Sequence, residues 1–206
     1  MEPTASSPAR RPLASRESGW ARAIAGWLVR HRVAPNSISV ASVAFAGAAG
    51  FCFWMSSQNH WWLIGAAAGI QLRLICNLMD GMVAIEGGMK SKTGDVFNDL
   101  PDRFADLLII VPVGYAVGYP DLGWCAGALA VFTAYVRTLG GAIGLKQDFV
   151  GPMAKQQRMA VLTLAAAIGI FAPVALPLAL AVTAGGSLVT IFVRALRILR
   201  LMEQRP

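Results

Sequence analysis

The chain has few charged residues and few of the residues that build sulfur- or histidine-based sites. Only 14% of its 206 residues are charged, whereas a soluble domain usually carries about a quarter. Cys52, Cys76 and Cys125 lie far apart in apolar runs, a spacing that fits neither a zinc nor a redox motif and gives no disulfide framework. These shortages exclude an ordinary soluble domain and indicate a membrane protein.

Long apolar runs make up most of the chain, which is 56% hydrophobic. A helix needs about 20 apolar residues to cross the hydrocarbon core of a bilayer. The predicted spans are residues 37–57, 61–85, 95–118, 124–143, 159–171 and a sixth that ends near 193. We therefore predict one all-α domain over residues 35–200, a six-transmembrane-helix bundle.

The segments at either end of this domain are more polar. Residues 1–18 are rich in Pro and Ser and predict a disordered tail, and residues 201–206 form a second tail. In residues 19–34, Trp20, Ile24 and Trp27 recur near helical spacing, with arginines on other faces. This predicts an amphipathic helix in the headgroup layer; a simple juxtamembrane anchor is the alternative.

The basic residues behind the net charge of +7 alternate along the chain. Lys and Arg precede the first predicted span and follow the second, fourth and sixth, whereas the turns after the first, third and fifth have none. By the positive-inside rule, both termini are cytoplasmic, in an inner or plasma membrane. The charge thus predicts membrane lipids, and not nucleic acid, as a partner.

Residues 77–106 combine acidic and amide side chains with apolar surroundings, at the predicted cytoplasmic ends of the second and third spans. Asn77 and Asp80 share one helix face, and Asn98 and Asp102 lie four residues apart. Such oxygens suit Mg²⁺, Mn²⁺ or Ca²⁺ and favour phosphoryl chemistry on a lipid. In the structural alternative, the carboxylates pair with basic neighbours. These are Arg73, Lys90, Lys92 and Arg103.

The same stretch resembles the signature of the CDP-alcohol phosphatidyltransferases. That signature is Asp, two residues, Asp-Gly, two residues, Ala-Arg, a turn, Gly, three residues, Asp, three residues, Asp. Here it reads NLMDGMVAI at 77–85 and GDVFNDLPD at 94–102, with matching spacing. Asn77, Ile85 and Asn98 stand where the family has Asp, Arg and Asp. Each Asn offers an uncharged oxygen, so a cation should bind more weakly.

The resemblance implies transfer of a phosphatidyl group from a CDP-activated lipid, such as CDP-diacylglycerol, to a small alcohol acceptor, with release of CMP. It implies Asp102 as general base and a homodimer. The implied Mg²⁺ or Mn²⁺ ligands are Asn77, Asp80, Asn98 and Asp102, with Asp99 as a replacement carboxylate. The implied nucleotide-binding residues are Gly81, Ala84 and Gly94.

Three basic residues are candidates for binding a phosphate on the acceptor or donor, since family members with phosphorylated acceptors have basic residues in this region. They are Arg137, Lys155 and Arg158. Ordinary positive-inside charge is the alternative for Lys155 and Arg158, and a salt bridge for Arg137. The three departures leave open an active variant with altered metal use, an unusual substrate, or an inactive homologue that binds CDP-lipid or a partner enzyme.

Overall fold

The computed structural model describes residues 18–89, 93–147 and 149–205, except the side chains of Asp95 and Asn98. This part of the chain contains seven α-helices and no strand. They are α1 (Gly19–Arg30), α2 (Pro35–Met55), α3 (Trp62–Glu86), α4 (Gly94–Ala116), α5 (Pro120–Ala142), α6 (Lys155–Gly169) and α7 (Ala175–Glu203). The predicted all-α class is confirmed. Residues 1–17 of the predicted tail, Lys90 and Lys92 lie outside the described residues.

Within the described residues, four helices are long and apolar enough to cross a membrane: α2, α3, α5 and α7. Two other helices, α4 and α6, lie in predicted spans but do not meet both the length and the composition expected of a crossing. Helix α4 carries Asp99, Asp102, Arg103 and Asp106 within its length, and α6 has only 15 residues. The structure therefore supports a helical membrane protein with these candidate spans. Six crossings stay a prediction.

Helices α2–α7 form a closed ring in which each helix packs on two neighbours. Going round, the order is α3, α2, α4, α5, α7 and α6, which returns to α3, while α1 lies against α3. Apolar residues from all six helices, many of them alanine, fill the interior. Side chains from the starts of α2, α4 and α6 and from the ends of α3, α5 and α7 therefore converge at one end of the ring.

Helices α2 and α4 approach closely because of one proline and one glycine. Pro112 has no backbone N–H, so the carbonyl of Leu108, four residues earlier, lacks its helical donor. Gly50 of α2 lies directly against that carbonyl, and a Cβ there would clash with the Leu108 oxygen and crowd Pro112. Small residues that bring backbones together are a usual device of membrane helices.

Helix α1 turns its small residues inward and its large ones outward. Ala21 and Ala25 are fully buried in a cluster with α3 residues. Trp20, Ile24 and Trp27 are 49%, 41% and 50% exposed. This apolar outer face is the one expected to enter a headgroup layer. The interfacial role of residues 19–34 stays a prediction, and these three side chains are the surface that would carry it.

Candidate active site

Three aspartates follow one another along α4, each close to one helical turn from the next. Each of them pairs with cationic side chains from helices other than α4. The pairs are Asp99 with Arg137 of α5, Asp102 with Lys155 of α6, and Asp106 with Arg73 of α3 and Arg158 of α6. Arg73 and Arg103, two of the expected partners, do pair with these carboxylates, and Arg137 forms the salt bridge given as its alternative. Lys155 and Arg158 of α6 are partners that were not expected.

Asp102 has the densest positive surroundings of the three. Lys155 Nζ donates to both of its carboxylate oxygens, at 2.5 and 2.6 Å. Guanidinium nitrogens of Arg73 and Arg103 lie 3.5 and 3.7 Å from the same carboxylate. Asp102 is only 8% exposed, so its surroundings are mostly these cationic side chains and not water.

The α3 side of the site contributes Asn77 and Asp80. Asn77 Nδ2 donates to Asp102 Oδ1 at 3.2 Å, so the oxygen of this amide is not the atom that faces Asp102. Asp80 is buried and accepts a hydrogen bond from Ser39 Oγ of α2 at 2.7 Å. Ser39 was missed by sequence reasoning, because a serine among the small residues of an apolar helix carries no distinguishing signal.

Asp106 lies deeper in the ring and is fully buried. Its two oxygens accept hydrogen bonds from Arg73 at 2.9 Å and from Arg158 at 2.6 Å. Arg158 also donates to Thr133 Oγ1 at 3.1 Å and to the carbonyl of Met153 at 2.9 Å. Arg158 is 1% exposed, so binding an acceptor phosphate would require it to leave this network.

Arg137 and Arg194 organise the neighbouring end of α5. Arg137 pairs with Asp99 and lies over the ring of Phe149, 5.3 Å from its centroid. Arg194 of α7 donates to the carbonyls of Thr133 and Val150, at 2.6 and 2.8 Å. In the sequence, Arg194 counts only among the basic residues that follow the sixth predicted span, so its contacts with α5 and the loop before α6 were missed.

Few oxygen ligands for a hard divalent cation are present at this end of the ring. Asp80, Asn77 and Asp102 supply carboxylate and amide oxygens, the ligands such cations prefer. Across the described residues, no group of three or more His, Cys, Asp or Glu side chains is arranged to hold a metal. A cation at Asn77, Asp80 and Asp102 therefore stays a prediction, and Lys155 already bonds one of these carboxylates.

The structure brings together most of the site residues predicted from sequence, without testing their roles. Asn77, Asp102 and Lys155 form one hydrogen-bonded group, and Asp80 bonds Ser39 on the α2 side. Gly81 and Ala84 follow on α3, and Gly94 begins α4, so their nucleotide role stays a prediction. The side chain of Asn98, another predicted ligand, lies outside the described residues.

Residues 32–196 match the family model of the CDP-alcohol phosphatidyltransferases. This match covers well over half of the chain, so the protein belongs to that family of membrane-embedded transferases. Membership agrees with the helical membrane fold and with the acidic site between α3 and α4.

Among curated proteins, the chain is similar to the phosphatidylinositol phosphate synthase of Streptomyces avermitilis, with 28% identity over 192 residues, 85% of this chain and 76% of that protein. It is 24% identical over 136 residues to the inner membrane protein YnbA of Escherichia coli K12, covering 64% of this chain and 66% of that protein, slightly under two thirds.

Solved structures of the Mycobacterium tuberculosis phosphatidylinositol phosphate synthase share the fold at 18% identity. The complex with CDP-DAG superposes with a TM-score of 0.77 and covers 88% of this chain and 94% of that one. The complex with manganese and citrate gives 0.76, with 87% and 88% covered. At this identity, the likeness establishes the fold alone.

Proposed function

We propose that the protein transfers a phosphatidyl group from a CDP-activated lipid, such as CDP-diacylglycerol, to the hydroxyl of a small alcohol, in phospholipid biosynthesis. The observation that carries the proposal is the group formed by Asp102, Asn77 and Lys155. It holds a carboxylate, an amide and an ammonium within hydrogen-bond reach at one end of the ring. Such a site can take a hydroxyl proton and neutralise phosphate charge.

In this reaction, Asp102 accepts the proton of the acceptor hydroxyl. A carboxylate has about four lone-pair positions, and Lys155, Asn77 and Arg73 donate to Asp102, so accepting that proton requires one of these donors to move away. The acceptor oxygen bonds to the phosphorus that carries the lipid. The bond from that phosphorus to the bridging oxygen breaks, and CMP leaves with the electron pair. Lys155 lies where it can stabilise the charge that develops on the phosphate oxygens.

Mg²⁺ or Mn²⁺ is the cofactor we propose. When bound, it would neutralise the negative charge of the donor diphosphate. The residues proposed to hold it are Asn77, Asp80, Asn98, Asp99 and Asp102. The manganese in the structure of a mycobacterial relative supports this choice of metal. Gly81, Ala84 and Gly94 are proposed to leave room for the cytidine nucleotide.

A phosphorylated alcohol is the acceptor class we favour. Arg137 and Lys155 have side chains that are 17% and 25% exposed, so both can reach a ligand at the surface of the site. Arg158 belongs to the same proposed set, but only by exchanging its bond to Asp106 for a phosphate. The similarity to a phosphatidylinositol phosphate synthase supports an acceptor of this kind.

We further propose six crossings with both termini in the cytoplasm, a site at the cytoplasmic face of the inner or plasma membrane, and a homodimer. The support is the alternation of basic turns along the chain. Cysteine accessibility mapping in intact cells tests the topology. Labelling of a cysteine placed near residue 146 by an impermeant reagent from the outside would contradict it.

The activity is tested with purified protein in detergent, CDP-diacylglycerol and Mn²⁺. CMP release is measured across a panel of alcohols that includes inositol phosphate, glycerol phosphate, inositol and serine. We expect release that depends on one acceptor and disappears in Asp102→Asn. No release with any acceptor, from protein that binds Mn²⁺, would refute the transferase proposal.

A non-catalytic homologue that binds CDP-lipid is the second candidate. It is favoured by the two amides at predicted ligand positions, Asn77 and Asn98, and by the full engagement of Asp102 with Lys155. It predicts saturable binding of CDP-diacylglycerol without CMP release. In that case, the Asp102→Asn variant would still complement a strain that lacks this protein.

A further inference from the structure

The loop before α6 is held on α7 by the hydroxyl group of Thr190. The backbone N–H of Met153 donates to Thr190 Oγ1 at 2.9 Å, and the Thr190 hydroxyl donates its own hydrogen to the carbonyl of Gly186 at 2.7 Å. Because that hydrogen is directed at Gly186, the Thr190 oxygen presents a lone pair to Met153. Thr190 and Met153 are 0% and 5% exposed, so this hydrogen bond is shielded from bulk water.

Two glycines let the loop approach Thr190 closely. Gly151 has a φ of 116°, and a Cβ there would lie 2.5 Å from Thr190 Cγ2. On α7, a Cβ at Gly186 would lie 2.7 Å from Cε of Met153, so the Met153 side chain fills the space that this glycine leaves. The loop therefore packs directly on the turn of α7 that contains Thr190.

Met153 connects this contact to the start of α6. Its carbonyl accepts a hydrogen bond from Arg158 at 2.9 Å, so both polar groups of its backbone are bonded. Helix α6 begins two residues later, and its N-cap residue Ala154 gives no side-chain hydrogen bond. The bonds of Met153 therefore fix where α6 begins. Lys155, the first residue of α6, reaches Asp102 from that position.

We propose that Thr190 is a positioning residue that holds the Lys155 ammonium at Asp102 through the backbone of Met153. The inference rests on the proposed function in taking Lys155 and Asp102 as parts of the reaction site, and it adds a residue of α7 that the sequence does not single out. Without the hydroxyl, the buried N–H of Met153 loses its acceptor, which costs more than the bond alone. The loop then relaxes away from α7 and takes Lys155 with it.

The test measures how accessible Lys155 is in the full-length protein in detergent, without substrate. The amines are acylated with a trace of acetic anhydride, and mass spectrometry gives the rate at Lys155 relative to Lys146, an exposed lysine. Thr190→Val should raise this ratio by about tenfold, since Lys155 is released from its ion pair. Thr190→Ser keeps the hydroxyl and should stay near the wild type. If Thr190→Val does not fold, Thr190→Ala removes the hydroxyl without an added methyl group.

Thr183→Val is the matched control, because it is the same substitution at another fully buried position of α7. Among the described residues, Thr183 Oγ1 has no hydrogen-bond partner, so its removal should leave the ratio unchanged. A change of less than about twofold in the folded hydroxyl-free variant of Thr190 would overturn the proposal. An equal rise in Thr183→Val would also overturn it, because the effect would then come from packing and not from the hydroxyl.

CMP release from the same preparations separates this inference from the transferase activity. Thr190→Val should lower kcat by about tenfold or more, because Lys155 no longer faces the charge that develops on the phosphate. A wild-type kcat despite faster acylation would overturn the positioning role. Release by the wild type with unchanged acylation in the variants contradicts this inference alone. The expected acylation pattern without release by the wild type contradicts the transferase activity alone.

Discussion

Replacement of Asp106 by asparagine should destabilise the protein more than any comparable change in the site. Asp106 is fully buried and is bonded to Arg73 and Arg158, which are 0% and 1% exposed. Asparagine keeps the shape but removes the counter-charge of buried Arg158 and leaves Arg73 only the Asp102 carboxylate, 3.5 Å away. Within the described residues, Arg73 Nε and Nη1 and Arg158 Nε have no hydrogen-bond partner, so both buried guanidinium groups are already incompletely satisfied.

Removal of one partner from a buried ion pair typically costs about 3–5 kcal/mol, because the remaining charge stays desolvated. For a domain of this size, 1 kcal/mol changes Tm by about 2–4 °C. Asp106→Asn should therefore lower Tm by roughly 6–20 °C. Thermal unfolding in detergent, followed by tryptophan fluorescence, measures this change.

Asp99→Asn is the matched control, since it is the same substitution two helical turns earlier. The Asp99 side chain is 38% exposed and its partners are partly exposed, so the loss should be at most about 1 kcal/mol. Equal Tm values for the two variants would refute the account of the buried network. A triple change of Arg73→Met, Asp106→Leu and Arg158→Met should recover stability relative to Asp106→Asn, because it removes the charges together.

Three further outcomes are expected. Asn77→Asp combined with Asn98→Asp should raise Mn²⁺ affinity by about tenfold or more by restoring charge at proposed ligands; unchanged titrations would show that neither amide is a ligand. Gly50→Ala should cost about 1–3 kcal/mol through its clash with the Leu108 carbonyl, whereas Gly47→Ala, with open space around it, should be neutral or stabilising in the same unfolding assay. Chelation of divalent cations should abolish CMP release, and Mn²⁺ should restore it; release that persists in excess chelator would argue against a metal cofactor.

The positions of the helices could be predicted because each depends on a local property. Apolar runs of membrane-spanning length gave segments that the structure shows as α2–α7, and Pro35 marks the break before α2. The predicted third and fifth spans correspond to the two helices that are not candidate crossings by length and composition. Helix α4 alternates carboxylates with apolar residues, and α6 is short, so neither matches a uniformly apolar segment.

The pairing of Asp102 and Asp106 with residues of α6 could not be predicted, because these pairs join residues far apart in sequence. Asp102 and Lys155 are 53 residues apart, and Asp106 and Arg158 are 52. The spacing of Asn77 and Asp80 placed them on one helix face, but nothing in it indicated that Asn77 would donate to Asp102. Arg158 was predicted to bind a phosphate, but the structure buries it. The sequence alone does not show whether a cationic side chain at the start of a helix is exposed or buried.

The bonds of Asp106 also bear on the order in which the chain can be assembled. Arg73 precedes Asp106 by 33 residues, but Arg158 follows it by 52. While only α2–α5 have been synthesised, Asp102 and Asp106 share Arg73 and lack both of their α6 partners. Arrival of α6 supplies Lys155 and Arg158 together. The buried aspartates therefore gain these partners in the same step of biosynthesis that completes the site. A chain that ends before α6 would have an incomplete site and buried carboxylates without these partners.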